Sequence, residues 1–368
     1  MQKVKNINKK ELKLFLIILI LASFLCLGFL IPHKITDSYW NIEEGYDAYK
    51  ITPLKDGRLI HYIILSIVSN LKIPMETWLI ISQYISLILY SISILNVYKV
   101  VIDIIDKKIK KDVITKNINY KAVKIITLLS SLLIILNPMT VECFAYVENI
   151  IMSLSILIIT YASKIFFENK KNSYKKTLIL MLLASLCYQG TLNMWILLSM
   201  LFFILNDGNK KLKDWIRYLV KIASITFILL IFMVCTLKCI ELFTHQEQER
   251  IASSKLDIGK TIYLIIIQCV RSITIDTFGL FPKYFICYII IIAIVLLYIF
   301  SSKDAKSPIF KYLFFIFIVL LSCILPIFLQ KVPAISARIS VSIGGIIGSS
   351  IIYILYNALN NKTNKIIC

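Results

Sequence analysis

Apolar residues run along this chain in long stretches, broken by short segments rich in lysine or in acids. The stretches fall near residues 13–31, 76–101, 124–137, 149–167, 176–192, 193–206, 219–240, 283–300, 312–330 and 340–358. About ten segments approach the roughly 20 residues that cross a bilayer as a helix. A helix satisfies its own backbone in lipid, and these stretches are too long for barrel strands. The pattern predicts an all-α, polytopic integral membrane helical bundle of about ten transmembrane helices, with 1–368 as a single transmembrane domain. Two segments depart from it. Leu59–Leu71 is too short to cross, and Ile258–Phe281 is long enough but holds Arg271 and Asp276. Both are expected as interfacial or re-entrant helices on the outer side, the second inside an outer loop over 241–282.

Composition narrows the class. Of 368 residues, 58% are hydrophobic and 17% charged, with a mean hydropathy of +0.81. Soluble domains lie nearer 45–50% and 25%, so a soluble enzyme and a disordered or fibrous chain are excluded. The net charge of +20 is then read by side of the membrane, and no nucleic-acid partner is inferred from it. The expected inner segments 1–13, 99–124, 164–176, 207–221, 301–311 and 359–368 hold 28 basic and 8 acidic residues, which is the whole net charge. The remainder holds 13 of each. By the positive-inside rule both termini are cytoplasmic. Lys3, Lys5, Lys9, Lys10 and Lys13 precede the apolar run Leu14–Ile31. That run is too long for a signal peptide and no small-residue cleavage site follows, so it is expected as a retained first span.

Other features read as packing. Most of the nine cysteines lie inside apolar runs as small hydrophobes. The histidines His33, His61 and His245 are too few and scattered for a metal site. Ile343–Ser350 (IGGIIGSS) has the small-residue composition of a close helix contact. The lysine-rich loops Lys107–Lys124 and Asn169–Lys176 read as solvated faces near anionic lipid. No P-loop, dinucleotide fingerprint or nucleophile elbow is present.

Candidate chemistry gathers on the expected outer side. Four of five arginines, Arg58, Arg250, Arg271 and Arg338, fall there although lysine dominates the chain. Arginine's planar fork suits phosphate or carboxylate. The first extracytoplasmic loop, 32–58, carries Asp37, Glu43, Glu44, Asp47 and Asp56 among Tyr39, Trp40, Tyr46 and Tyr49. Rings stack on apolar sugar faces, carboxylates hydrogen-bond hydroxyls, and a carboxylate can act as general base. Asn137–Asn149 adds Glu142 and Glu148, and Tyr188-Gln189-Gly190 interrupts the apolar run Leu178–Leu205.

Together these residues resemble the Gtr-type (glucosyl transferase II-like) membrane glucosyltransferases of bacterial O-antigen and related surface glycans, within the GT-C-like superfamily of polytopic enzymes. The resemblance lies in the acidic loop Asp37 to Asp56 closing on Gly57-Arg58-Leu59, and in Asn137-Pro138 at a span end. It extends to Tyr188-Gln189 followed by Asn193, and to the late segment Pro333 to Arg338. The family's early Asp-Asp pair reads Asp37-Ser38 here, with Glu43 or Glu44 as replacement for the second acid.

The resemblance implies transfer of a glucosyl (hexosyl) group from a polyprenyl-phosphate sugar to a lipid-linked or cell-surface glycan. The site would be extracytoplasmic, on the outer face of the bacterial cytoplasmic membrane. Asp37 would deprotonate the acceptor hydroxyl, helped by Glu44, with Glu43 and Asp56 as the other candidate bases. Arg58, Arg338 and Arg271 would bind the donor phosphate, and Trp40, Tyr46, Glu142, Tyr188 and Gln189 the substrate. No cofactor is required; the acids would accommodate a divalent metal, but arginines could neutralise the phosphate instead. Implied partners are the donor, the glycan acceptor, the bilayer and a flippase able to deliver the donor. The alternatives are another lipid-linked glycan enzyme, such as a polymerase, and a glycolipid flippase or transporter. A transporter would be expected to carry charge along its spans, where this chain has almost none.

Overall fold

A computed structural model describes residues 9–30, 45–46, 49–111, 119–146, 148–206, 212–244, 263, 290–296, 298, 306–324 and 341–359. All regular structure among these residues is helical. In chain order the helices are α1 (Lys9–Leu25), α2 (Leu27–Leu30), α3 (Ile51–Lys55), α4 (Leu59–Asn70), α5 (Met75–Lys111), α6 (Tyr120–Ile135) and α7 (Pro138–Glu142). They continue with α8 (Asn149–Glu168), α9 (Ser173–Cys187), α10 (Asn193–Leu205), α11 (Leu212–Thr244), α12 (Lys306–Ile324), α13 (Val341–Gly344) and α14 (Ile346–Ala358).

Among the described residues, four helical stretches are long and apolar enough to cross a membrane: Met75–Ile109, Asn149–Glu168, Lys213–Thr244 and Val341–Ala358. Other expected spans fold as shorter apolar helices. The stretch 13–31 divides at Cys26 into α1 and α2. The run 176–206 divides at the Tyr188-Gln189 turn into α9 and α10. With 13 residues, α10 is about 20 Å long against a hydrocarbon core of about 30 Å. The short segment 59–71 is the 12-residue helix α4. The expected helix in 258–281 lies outside the described residues, apart from Tyr263.

The bundle is built around α10, which is buried at every position from Asn193 to Leu205. Its neighbours are α8, α12, α13 and α14. The long α5 packs against α1, α6 and α8, and α9 against α8. The periphery is apolar as well. On α11 the residues Ile216, Val220, Phe227, Ile231, Leu242 and Phe243 are exposed, and α1 exposes Leu16, Ile20 and Phe24. An apolar exterior of this extent suits lipid rather than water.

Burial alone gives helices no preference for one another in lipid, so small and polar residues set their contacts. Ser86, Ser91, Thr127 and Ser131 donate to the carbonyl four residues back, which keeps each hydroxyl satisfied inside its own helix. Others reach across: Tyr312 Oη and Ser350 Oγ lie 2.6 Å apart, and Tyr218 Oη donates to the Ser199 carbonyl at 2.9 Å. The Gly344–Gly348 stretch packs tightly on its neighbours. A Cβ on Gly348 would stand 2.3 Å from the Ser130 carbonyl oxygen, and one on Gly344 1.9 Å from Asn137 Oδ1.

The bundle has two chemically different ends. At one, Lys99 pairs with Glu11 (3.1 Å), Lys108 Nζ lies 3.4 Å from the Tyr356 ring centroid, and Lys221 Nζ donates to Asn169 Oδ1 (3.5 Å). The lysine-bearing ends of α1, α5 and α11 therefore meet their neighbours at this end. The other end holds residues 56–61, 137–149 and 188–191.

Candidate functional site

The site begins at a helix ending. Helix α3 stops at Lys55, Asp56 is its C-cap, and Gly57 follows with φ +74°. Gly57 N–H donates to the Leu54 carbonyl (3.0 Å) and Arg58 N–H to the Pro53 carbonyl (2.9 Å). This pair of bonds is the Schellman ending, which favours glycine at the left-handed position. A Cβ there would also meet Leu237 Cδ2 at 3.0 Å. The Asp-Gly-Arg order thus has a local cause: the glycine turns the chain, and Arg58 enters the bundle immediately before α4.

Arg58 is 8% exposed. Its Nη2 is 3.2 Å from Asp56 Oδ2, and its Nη1 forms an ion pair with Glu148 Oε1. The guanidinium carbon lies 4.6 Å from the centroid of the Tyr188 ring, within cation–π range. Gln189 Nε2 donates to the Asp56 carbonyl oxygen at 3.1 Å. Residues far apart in sequence, at 56–58, 148 and 188–189, thereby form one cluster. Burial opposes the Arg58 charge, but Glu148 first, then Tyr188 and Asp56, more than offset it and raise its pKa. The guanidinium stays charged and is shared between two carboxylates.

Each partner is held by its own element. Glu148 stands at the N-cap of α8, where the helix dipole favours an acid. The preceding stretch is fixed by Asn137, whose side chain donates to the Ile134 and Val341 carbonyls (3.0 and 3.1 Å) and accepts from Met139 and Thr140 N–H (3.1 and 3.2 Å). With Pro138 at the first helical position, Asn-Pro is a complete helix start. The Tyr188-Gln189 turn is held by Ser155 Oγ, 2.7 Å from Thr191 Oγ1, and by Thr191 Oγ1 donating to the Tyr188 carbonyl (3.1 Å).

One turn beyond Arg58, His61 is fully buried. Its ring meets Tyr49 edge-on at 5.9 Å. Neither ring nitrogen has a hydrogen-bond partner among the described residues. Burial lowers its pKa from 6.5 to about 4; Arg58 adds to this and Glu148 opposes it. His61 is therefore neutral at pH 7. Tyr46 packs on the same apolar cluster as Tyr49, Trp78 and Tyr188, and burial pushes its phenol up to about 12.

The shift has a measurable consequence. Between pH 6.5 and about 4 the unfolded chain binds a proton at residue 61 that the folded protein does not. Stability should therefore fall as pH drops through that window, by up to about 3 kcal/mol. Unfolding at pH 7 and pH 4.5 checks this: His61→Gln should lose less on acidification than the wild type. Equal losses would remove His61 as the cause.

Of the residues expected from sequence, Asp56, Arg58, Tyr188 and Gln189 come together, with Tyr46 packed beside them. Glu142 ends α7. Asp37, Trp40, Glu43, Glu44, Arg271 and Arg338 lie outside the described residues. Glu148 and His61 are additions. An acid directly preceding a helix was the available signal for Glu148; nothing in the sequence marks His61. Among the described residues no group of three or more His, Cys, Asp or Glu could hold a metal ion.

No family model matches the chain, and no curated protein or solved structure matches it. The cluster joins two carboxylates, one guanidinium, a neutral imidazole and tyrosine rings at one end of an apolar bundle. Such a set can hydrogen-bond hydroxyls, stack on a sugar face, and hold a carboxylate in a fixed orientation.

Proposed function

We propose that the protein is a membrane glycosyltransferase of the Gtr-type, GT-C-like kind, with about ten spans and both termini in the cytoplasm. Its site faces outward from a bacterial cytoplasmic membrane. It moves a glucosyl or other hexosyl group from a polyprenyl-phosphate sugar to a lipid-linked or cell-surface glycan. The single observation carrying this reading is the meeting of Asp56-Gly57-Arg58 with Glu148 and Tyr188-Gln189. The two sequence features most specific to the resemblance, the Gly-Arg loop end and the Tyr-Gln turn, are thereby neighbours in one site. That site lies at the end opposite the one where Lys99, Lys108 and Lys221 meet their partners, and most of the chain's lysines would then mark the inner side by the positive-inside rule.

In the reaction, a carboxylate takes the proton of the acceptor hydroxyl. The oxygen bonds to the anomeric carbon, the bond from that carbon to the phosphate oxygen breaks, and polyprenyl phosphate leaves with the electron pair. Asp37 is the proposed base, with Glu44 beside it. Arg58, shared between Asp56 and Glu148, orders the carboxylates of this end. Arg338 and Arg271 are the arginines proposed for the charge developing on the leaving phosphate. The polyprenyl tail would lie among the apolar helices.

The test uses membranes holding the wild type or Asp37→Asn, labelled polyprenyl-phosphate-glucose and extracted surface glycan. Label should reach glycan with the wild type and fall at least a hundredfold in the variant, with equal insertion of both. Transfer by both would keep the enzyme and move the base to Glu43, Glu44 or Asp56. Transfer by neither would count against this donor and favour a transporter.

A further inference from the structure

His61 is an expensive residue for a structural position. A neutral imidazole carries one donor and one acceptor nitrogen, and both are buried without a partner among the described residues. Leaving buried polar atoms unpaired is unfavourable, and native structures rarely do so without a reason. The surroundings repeat the pattern. Arg58 Nε, Tyr46 Oη and Trp78 Nε1 are also buried without a hydrogen-bond partner among the described residues. Tyr46 and Trp78 pack in the cluster that contains Tyr49 and Tyr188. His61 meets Tyr49, and Arg58 meets Tyr188. His61 and Arg58 thus each bring an unmet nitrogen beside a tyrosine ring, and Tyr46 and Trp78 belong to the cluster that holds both rings.

The charges decide what could fill them. Arg58, Asp56 and Glu148 sum to −1, and His61 adds nothing at neutral pH. The guanidinium already faces two carboxylates, so this pocket of polarity suits an uncharged ligand better than a phosphate. A ligand that both donates and accepts hydrogen bonds and offers apolar faces to rings is a polyol in ring form.

We propose that His61 is a substrate-binding residue that hydrogen-bonds a hydroxyl of the sugar ring handled at this site. The inference deepens the transferase reading and rests on it. The sugar belongs to the donor lipid or to the acceptor glycan, and the experiment separates the two.

Wild type, His61→Leu and His61→Gln are reconstituted in nanodiscs. Heat unfolding is measured, together with binding of polyprenyl-phosphate-glucose and of sugar-free polyprenyl phosphate, and the KM for glycan in transfer. His61→Leu removes both unmet nitrogens, so it should unfold no earlier than the wild type. Its affinity for polyprenyl-phosphate-glucose should drop at least tenfold with that for polyprenyl phosphate unchanged, and His61→Gln should recover most of the loss. Unchanged donor affinity with a tenfold higher glycan KM would place the hydroxyl on the acceptor. Earlier unfolding of His61→Leu with both affinities and KM unchanged would overturn the proposal, as would a wild type that binds neither sugar probe. Should His61→Leu fail to accumulate, His61→Phe keeps the ring against Tyr49 and carries the same readouts. A wild type that binds the glucosyl lipid but transfers nothing would remove the transferase reading and leave His61 in place. Normal transfer with identical constants in wild type and variant would do the reverse.

Discussion

Arg58→Ala should lower the unfolding free energy by about 3–5 kcal/mol, the usual result of removing one partner from a buried ion pair. Local charge is the cause. Arg58, Asp56 and Glu148 have side chains only 9%, 11% and 12% exposed, so solvent screens them little. With the arginine present they sum to −1; without it two carboxylates face each other at −2. Glu148→Gln moves the sum the other way, to zero, and leaves an amide oxygen that can still accept from Nη1. It should therefore cost clearly less than Arg58→Ala, on the order of 1 kcal/mol. Arg58→Lys should fall between the two, because an ammonium keeps the charge but cannot fork toward two carboxylates. Denaturant unfolding of the purified variants in one detergent reads this order. If Glu148→Gln cost as much as Arg58→Ala, the cluster would be held by the Glu148 contact itself rather than by its charge balance.

The same substitution speaks to function. Arg58 joins the first loop to the start of α8 and the Tyr188 turn, so losing it should release Asp56 as well as destabilise the fold. Transfer should fall further than the loss of folded protein accounts for, which specific activity per folded molecule would show.

Much of this was legible in the sequence, for identifiable reasons. Helix positions followed the apolar stretches because a helix in lipid needs only apolar residues and its own backbone bonds. The Tyr188-Gln189 break was visible as polarity inside an apolar run. Asp56, Gly57 and Arg58 were readable as a unit, and the Schellman ending explains their order. Span number was less legible: hydropathy does not register that the first stretch divides at Cys26, and a stretch as short as 193–206 counts as a span by its apolarity alone although α10 has only 13 residues. The pairing of Glu148 with Arg58 was also hidden. That Glu148 meets Arg58 depends on how the chain turns between α7 and α8. His61 could not be found from sequence at all, because its interest lies in what it fails to touch. Asn137 reads differently in the fold than in the sequence. The Asn-Pro that belongs to the resemblance is spent on four hydrogen bonds within the scaffold.

Those four bonds lead to the second large effect. Gly344→Ala should destabilise the protein by about 3–5 kcal/mol, more than a methyl group in a packed interior usually costs. The added Cβ would stand 1.9 Å from Asn137 Oδ1 and 2.3 Å from its Cγ. A flexible side chain would swing away at little cost, but this one cannot. Its amide donates to Ile134 and Val341 while its oxygen caps α7. Moving it forfeits a cap, about 1 kcal/mol, and strands a buried amide, a further 1–3 kcal/mol. Overpacking adds to both. Asn137→Ala removes the obstacle and should cost about 2–4 kcal/mol alone. The double variant then decides the matter. If the steric conflict runs through Asn137, the alanine at 344 finds space where the amide was, and the double variant should be little worse than Asn137→Ala. A cycle of the four proteins should thus show a coupling of at least 1 kcal/mol. Strict additivity would mean that Gly344 is required by the backbone of 341–348 rather than by Asn137, and would separate this helix contact from the segment that carries Glu148.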